Sequence, residues 1–100
     1  MASANQVMDE INDFVDVLDT KLQRLAKNLD RLESTKNMAE ATRLKETCVK
    51  EAERISKDIK NLNFDMKRLP KDREAEFSDK AASLRAKLTK LERRIKGGGE

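Results

Sequence analysis

The 100 residues include 22 basic and 19 acidic side chains, giving a formal charge of +3, with 41 % charged and 37 % apolar residues. That length fits one domain with one modest core. With no His there is no imidazole base, relay or ligand, and with all three Gly at 97–99 no phosphate-cradling glycine loop exists upstream. Neither an enzymatic activity nor a cofactor is expected, and no catalytic or metal-binding residue is assigned.

A single Cys, Cys48, precludes an intrachain disulfide and argues against a secreted scaffold. The longest uncharged run, Met1–Met8, falls far short of the roughly 20 apolar residues a membrane span needs, and it lacks the basic start of a signal peptide. The expectation is a soluble chain suited to a reducing cytoplasm.

Apolar residues recur three and four apart along nearly the whole chain, which is the period of an amphipathic helix. The first stretch runs through Met8, Ile11, Val15, Leu18, Leu22, Leu25, Leu29 and Leu32, with Val7 and Phe14 widening its face. Continued past Leu32, the same phase lands on Lys36, Ala39, Arg43 and Glu46, so this helix must end near 33–37. Asn37 with Glu40 three residues on reads as a capping box at the restart.

The second stretch runs through Met38, Ala41, Cys48, Ala52, Ile55, Ile59, Leu62, Met66 and Leu69, with Lys45 the one polar interruption and Leu44 beside it. Its phase is offset by two residues from the first, which neither a three- nor a four-residue stutter supplies, so the two cannot form one rod. Pro70 then disfavours a helical conformation at Leu69. In the third stretch Phe77, Ala81, Leu84, Leu88, Leu91 and Ile95 keep the period, and Asp72, Glu74 and Glu76 place negative charge near its start as the helix dipole prefers.

Helices are therefore expected at about 5–33, 37–68 and 71–96. Short connections force them antiparallel in sequence, and each apolar stripe needs partners. The fold class is all-α: an antiparallel up-down-up three-helix bundle over residues 1–96 with left-handed coiled-coil-like packing, followed by a flexible Gly-rich tail at 97–100. Pairs four apart, Glu46–Lys50, Glu53–Lys57, Glu76–Lys80 and Glu92–Lys96, are expected to support the helix surfaces.

Charge is distributed unevenly. Residues 1–20 hold five acids and no base, while Arg85, Lys87, Lys90, Arg93 and Arg94 make the third helix a candidate basic surface. Lys21, Arg24, Lys27 and Arg31 are expected near the same end. The carboxylate pairs Asp9/Asp13 and Asp16/Asp19 read as solvated helix face, and Cys48, in the second seam, as a buried structural thiol. Phe64 is different. With Leu62 and Met66 in the seam it must point outward, near Lys60, Lys67 and Arg68, and an outward aromatic with a cationic rim has the composition of a partner-binding anchor. No reading motif or aromatic platform for nucleic acid accompanies these charges, so no nucleic-acid partner is expected.

The run Leu62-Asn-Phe-Asp-Met-Lys-Arg-Leu69-Pro70 resembles a stretch recurrent in the v-SNARE family, in the Qb-SNAREs of the Vti and plant NPSN type. The following Lys71-Asp-Arg-Glu with Phe77, Leu84, Lys87-Leu88 and Lys90-Leu91-Glu-Arg-Arg94 is similar to that family's third helix. The similarity covers about residues 40–96, and 5–35 in helical character alone. It implies an N-terminal Habc-like regulatory bundle acting in intracellular vesicle transport and membrane fusion. Its place would be the cytoplasmic face of Golgi, endosomal or other transport-vesicle membranes. Implied partners are sorting adaptors or tethers and the protein's own SNARE helix, with cognate SNAREs bound through a C-terminal region that this sequence lacks and the membrane reached only through an anchor outside it. The isolated bundle is expected to be a monomer. Two other expectations stand beside this: a self-associating structural coiled coil, and a basic module for anionic lipid or nucleic acid.

Overall fold

The computed structural model describes residues 4–97. Three helices, α1 (Ala4–Ser34), α2 (Met38–Met66) and α3 (Lys71–Lys96), pack pairwise against one another in an up-down-up bundle. It is a rod: the long dimension is 52 Å, and the radius of gyration of 16.0 Å exceeds the roughly 13 Å of a compact chain this size. Of the tail expected at 97–100, residues 98–100 lie outside the described residues.

α1 ends because its apolar phase runs out. Ser34 Oγ then donates to the Asp30 carbonyl at 2.9 Å, and Arg31 sits where the helix dipole favours a cation. Residues 35–37 make the turn. Asn37 caps α2, its Oδ1 accepting from the N–H groups of Ala39 at 3.0 Å and Glu40 at 3.1 Å. The capping box expected here is only half formed. The Asn37 N–H donates to Thr35 Oγ1, and the Glu40 carboxylate instead pairs with Arg31 across the turn.

α2 stops at Met66, two residues earlier than expected. Lys67, Arg68 and Leu69 each donate to the carbonyl three residues back, a tightened last turn, and Leu69 tucks into the core. Pro70, with φ −57 and ψ 149, takes the chain around, and its carbonyl accepts from the N–H groups of Arg73 and Glu74 to start α3. Proline needs no N–H at a helix start, so the residue that ends one helix opens the next.

The core follows the three seams closely. Ile11, Leu18, Leu25, Leu29, Ile55, Leu62 and Leu88 are at most 2 % exposed, and all six seam positions of α3 are buried. Two departures are informative. Val7 is buried while Met8 is half-buried, which rotates the first turn of α1 slightly toward the flank. Met38, the first seam position of α2, is 84 % exposed, and Ala41 and Leu44 are half-buried. The cause is length. The antiparallel register marked by Arg85 Nη1 donating to Ser56 Oγ brings the end of α3 level with about residue 45. The first two turns of α2 overhang it.

The four expected pairs at spacing four do not close among the described residues. Glu76 takes Arg73, and Lys80 reaches Asn12 on α1 while lying 5.3 Å from the Phe77 ring centroid. Lys80 thus reaches across to the next helix, while Glu76 pairs three residues back along its own.

Candidate partner-binding surface

Phe64 projects from the outer face of α2, because Leu62 and Met66 on either side of it are turned into the core. It is 71 % exposed. Lys60 lies one turn before it, Lys67 and Arg68 one turn after, all exposed and none engaged in an ion pair among the described residues. The backbone beneath is held: the Lys67 N–H donates to the Phe64 carbonyl at 3.2 Å. The four residues singled out from the sequence are thus all exposed, an apolar side chain and Lys60 on the last turns of α2 with Lys67 and Arg68 in the turn that follows.

The basic candidates on α3 do not make a comparable surface. Lys87 Nζ is 3.0 Å from Asp19 Oδ1 of α1. Arg94 Nη2 is 2.7 Å from Asp30 Oδ1 and also reaches Glu33, to which Nε donates at 3.2 Å. Arg85 turns the other way, to Ser56 of α2. Lys90 lines a shallow groove with Leu22, Ala26 and Leu91, and Arg93 is exposed. The charge run is divided between two neighbours and partly neutralised by α1. Electrostatics record the same pairing: the hydrogen bond from Arg94 holds the Glu33 carboxyl below its ordinary value, and Glu33 and Asp30 in turn push the Arg94 guanidinium up.

Cys48 is fully buried. Burial, with a smaller contribution from Glu51, pushes its thiol above the ordinary value, although Arg94 pulls weakly the other way. The thiol is less nucleophilic than a free one. Among the described residues no group of acids and thiols has the arrangement of a metal site, and no helix is long and apolar enough to cross a membrane.

One constellation escaped the sequence. Lys21 and Arg24 of α1 and Lys50 and Arg54 of α2 line a single recess, although their helices are separate and no charge run joins them. The available signal was positional: Arg24 and Arg54 each directly precede a seam residue, Leu25 and Ile55, which puts both at the flank of their helix. No protein-family model, curated protein or solved structure matches this chain.

Proposed function

We propose that the chain is an N-terminal regulatory and protein-interaction domain of a Qb-SNARE of the Vti/NPSN type, serving vesicle transport and membrane fusion by binding sorting adaptors or tethers. The observation that carries this is Phe64, a large aromatic 71 % exposed on a rigid helix one turn before the Leu69–Pro70 junction on which the family resemblance rests. Because the three apolar seams are largely consumed inside the bundle, a partner must be met by residues outside them. Phe64 supplies apolar area there, and Lys60, Lys67 and Arg68 supply a rim suited to an acidic surface.

Binding to purified sorting-adaptor domains and to the SNARE helix tests this. Phe64→Ala is expected to leave the melting temperature unchanged, since the side chain buries little in the free domain, and to weaken binding by about 1–3 kcal/mol. Charge reversal at Lys60 and Lys67 should mainly slow association and flatten its salt dependence. An affinity indifferent to Phe64 removes the surface, and so does a fall in melting temperature large enough to make Phe64 a core residue. Sedimentation equilibrium separates the self-associating alternative, which requires a species heavier than 11.4 kDa.

A further inference from the structure

The recess between α1 and α2 has a volume of about 340 Å³ and is lined by Lys21, Arg24, Lys50 and Arg54 with Thr47 and Ile55, against one carboxylate, Glu51. The rungs on either side are satisfied. Lys21 Nζ pairs with Asp58 Oδ2 at 2.9 Å, and Asn28 Nδ2 donates to Glu51 Oε1 at 2.8 Å. The antiparallel register fixed by those two contacts carries Arg24 to the level of Arg54 and Ile55. The rung between them therefore carries an arginine on each wall, Arg24 on α1 and Arg54 on α2, with Lys50 one turn before Arg54. Among the described residues Arg24, Lys50 and Arg54 have no ion pair or side-chain hydrogen bond, while the Glu51 carboxylate in the recess is already engaged by Asn28.

We propose that this recess is an anion site for a phosphate-dense headgroup of the inositol-phosphate class. Like charges facing each other across a groove cost free energy until a counter-charge sits between them. Two guanidinium forks approaching from opposite walls match the oxygens of phosphate groups, and Lys50 adds a point charge. Ile55 is 1 % exposed, so the apolar surface of the recess is that of the lysine and arginine stems, whose charged ends set the chemistry at the rim. The volume holds a ring bearing a few phosphates but not a helix. The proposal stands independently of the trafficking assignment, because it uses none of the residues around Phe64.

Soluble inositol trisphosphate, titrated into the intact chain and followed by amide chemical shifts, is the first test. Saturable shifts confined to the neighbourhoods of Arg24, Thr47, Lys50 and Arg54 are expected, and a rise in melting temperature with ligand concentration. In Arg24→Gln/Arg54→Gln the affinity should drop at least about tenfold, whereas Arg93→Gln/Lys96→Gln should bind like the parent. Flotation with phosphatidylcholine vesicles, with and without a phosphoinositide bisphosphate, tells the source. Flotation that requires the bisphosphate and both arginines assigns a lipid headgroup, and saturable binding without flotation assigns a soluble one. Shifts spread evenly over Arg85, Lys90, Arg93 and Lys96, an affinity unaltered in the double variant, or no saturation by about 5 mM overturns the site.

Discussion

The two grooves that flank α1 are built differently. Against α3, Lys80 meets Asn12, Lys87 meets Asp19, and Arg94 meets Asp30 and Glu33, so these three cations have polar partners, and Lys90 alone of the groove's α3 cations has none among the described residues. Against α2, two satisfied rungs, Lys21–Asp58 and Asn28–Glu51, bracket a level that holds Arg24 on one wall and Arg54 on the other. The longest basic run in the sequence therefore lies along the quieter groove, and the unbalanced charge lies where no run exists. Linear charge counts report composition; packing decides which charges remain unanswered.

The largest way to disturb this contrast is from beneath. Leu88 is fully buried in α3, and Leu88→Asp is expected to unfold or loosen the bundle by several kcal/mol, because a carboxylate there has no partner. Thermal melts by circular dichroism measure it, and a variant as stable as the parent would remove the seam assignment on which both grooves depend. Cys48→Ala, in the core, should cost about 1–2 kcal/mol as a small cavity does. It should leave partner binding intact. Lost binding with full helicity would make the thiol functional.

The seams explain why the bundle was legible. Apolar spacing reports which face of a helix is inward, and it located the first break and sent Phe64 outward, while Pro70 marked the second break. It does not report where the neighbouring helix ends, which is why Met38 keeps the period yet overhangs α3. Nor does local sequence choose between rival partners. Glu40 sits at the capping-box position but is drawn to Arg31, and Lys80 and Glu76 ignore each other for Asn12 and Arg73. The recess was illegible for the same reason: its cations meet only when the α1–α2 register is known.

Arg94 tests the neutralised groove. Arg94→Gln should cost about 1 kcal/mol or less, since Arg94 and both its partners, Asp30 and Glu33, are partly solvated. It should also change the acid limb of stability. Glu33 is held below its ordinary 4.5, so the parent gains stability above that pH and loses it as pH falls below, where the folded carboxyl takes up its proton. Urea melts at neutral pH and at about pH 3 should show a gap between parent and variant that narrows in acid. A gap that stays constant would assign Arg94's contribution to its packed stem.

The smallest effect has the opposite sign, and it tests the unanswered rung directly. Arg54→Gln removes a cation that shares a recess with Arg24 and lies four residues from Lys50, while keeping a good helix former with no new like charge. Asp58 is already held by Lys21 and loses little. The ligand-free variant should therefore be more stable than the parent by about 0.2–0.5 kcal/mol at low salt. On a domain of this size that is a rise of roughly 1–4 °C in melting temperature. The gain should vanish by about 1 M salt, where screening acts within roughly 3 Å. A lower melting temperature at every salt concentration would show instead that the Arg54 stem covers apolar surface, and that the two guanidinium groups avoid each other without cost.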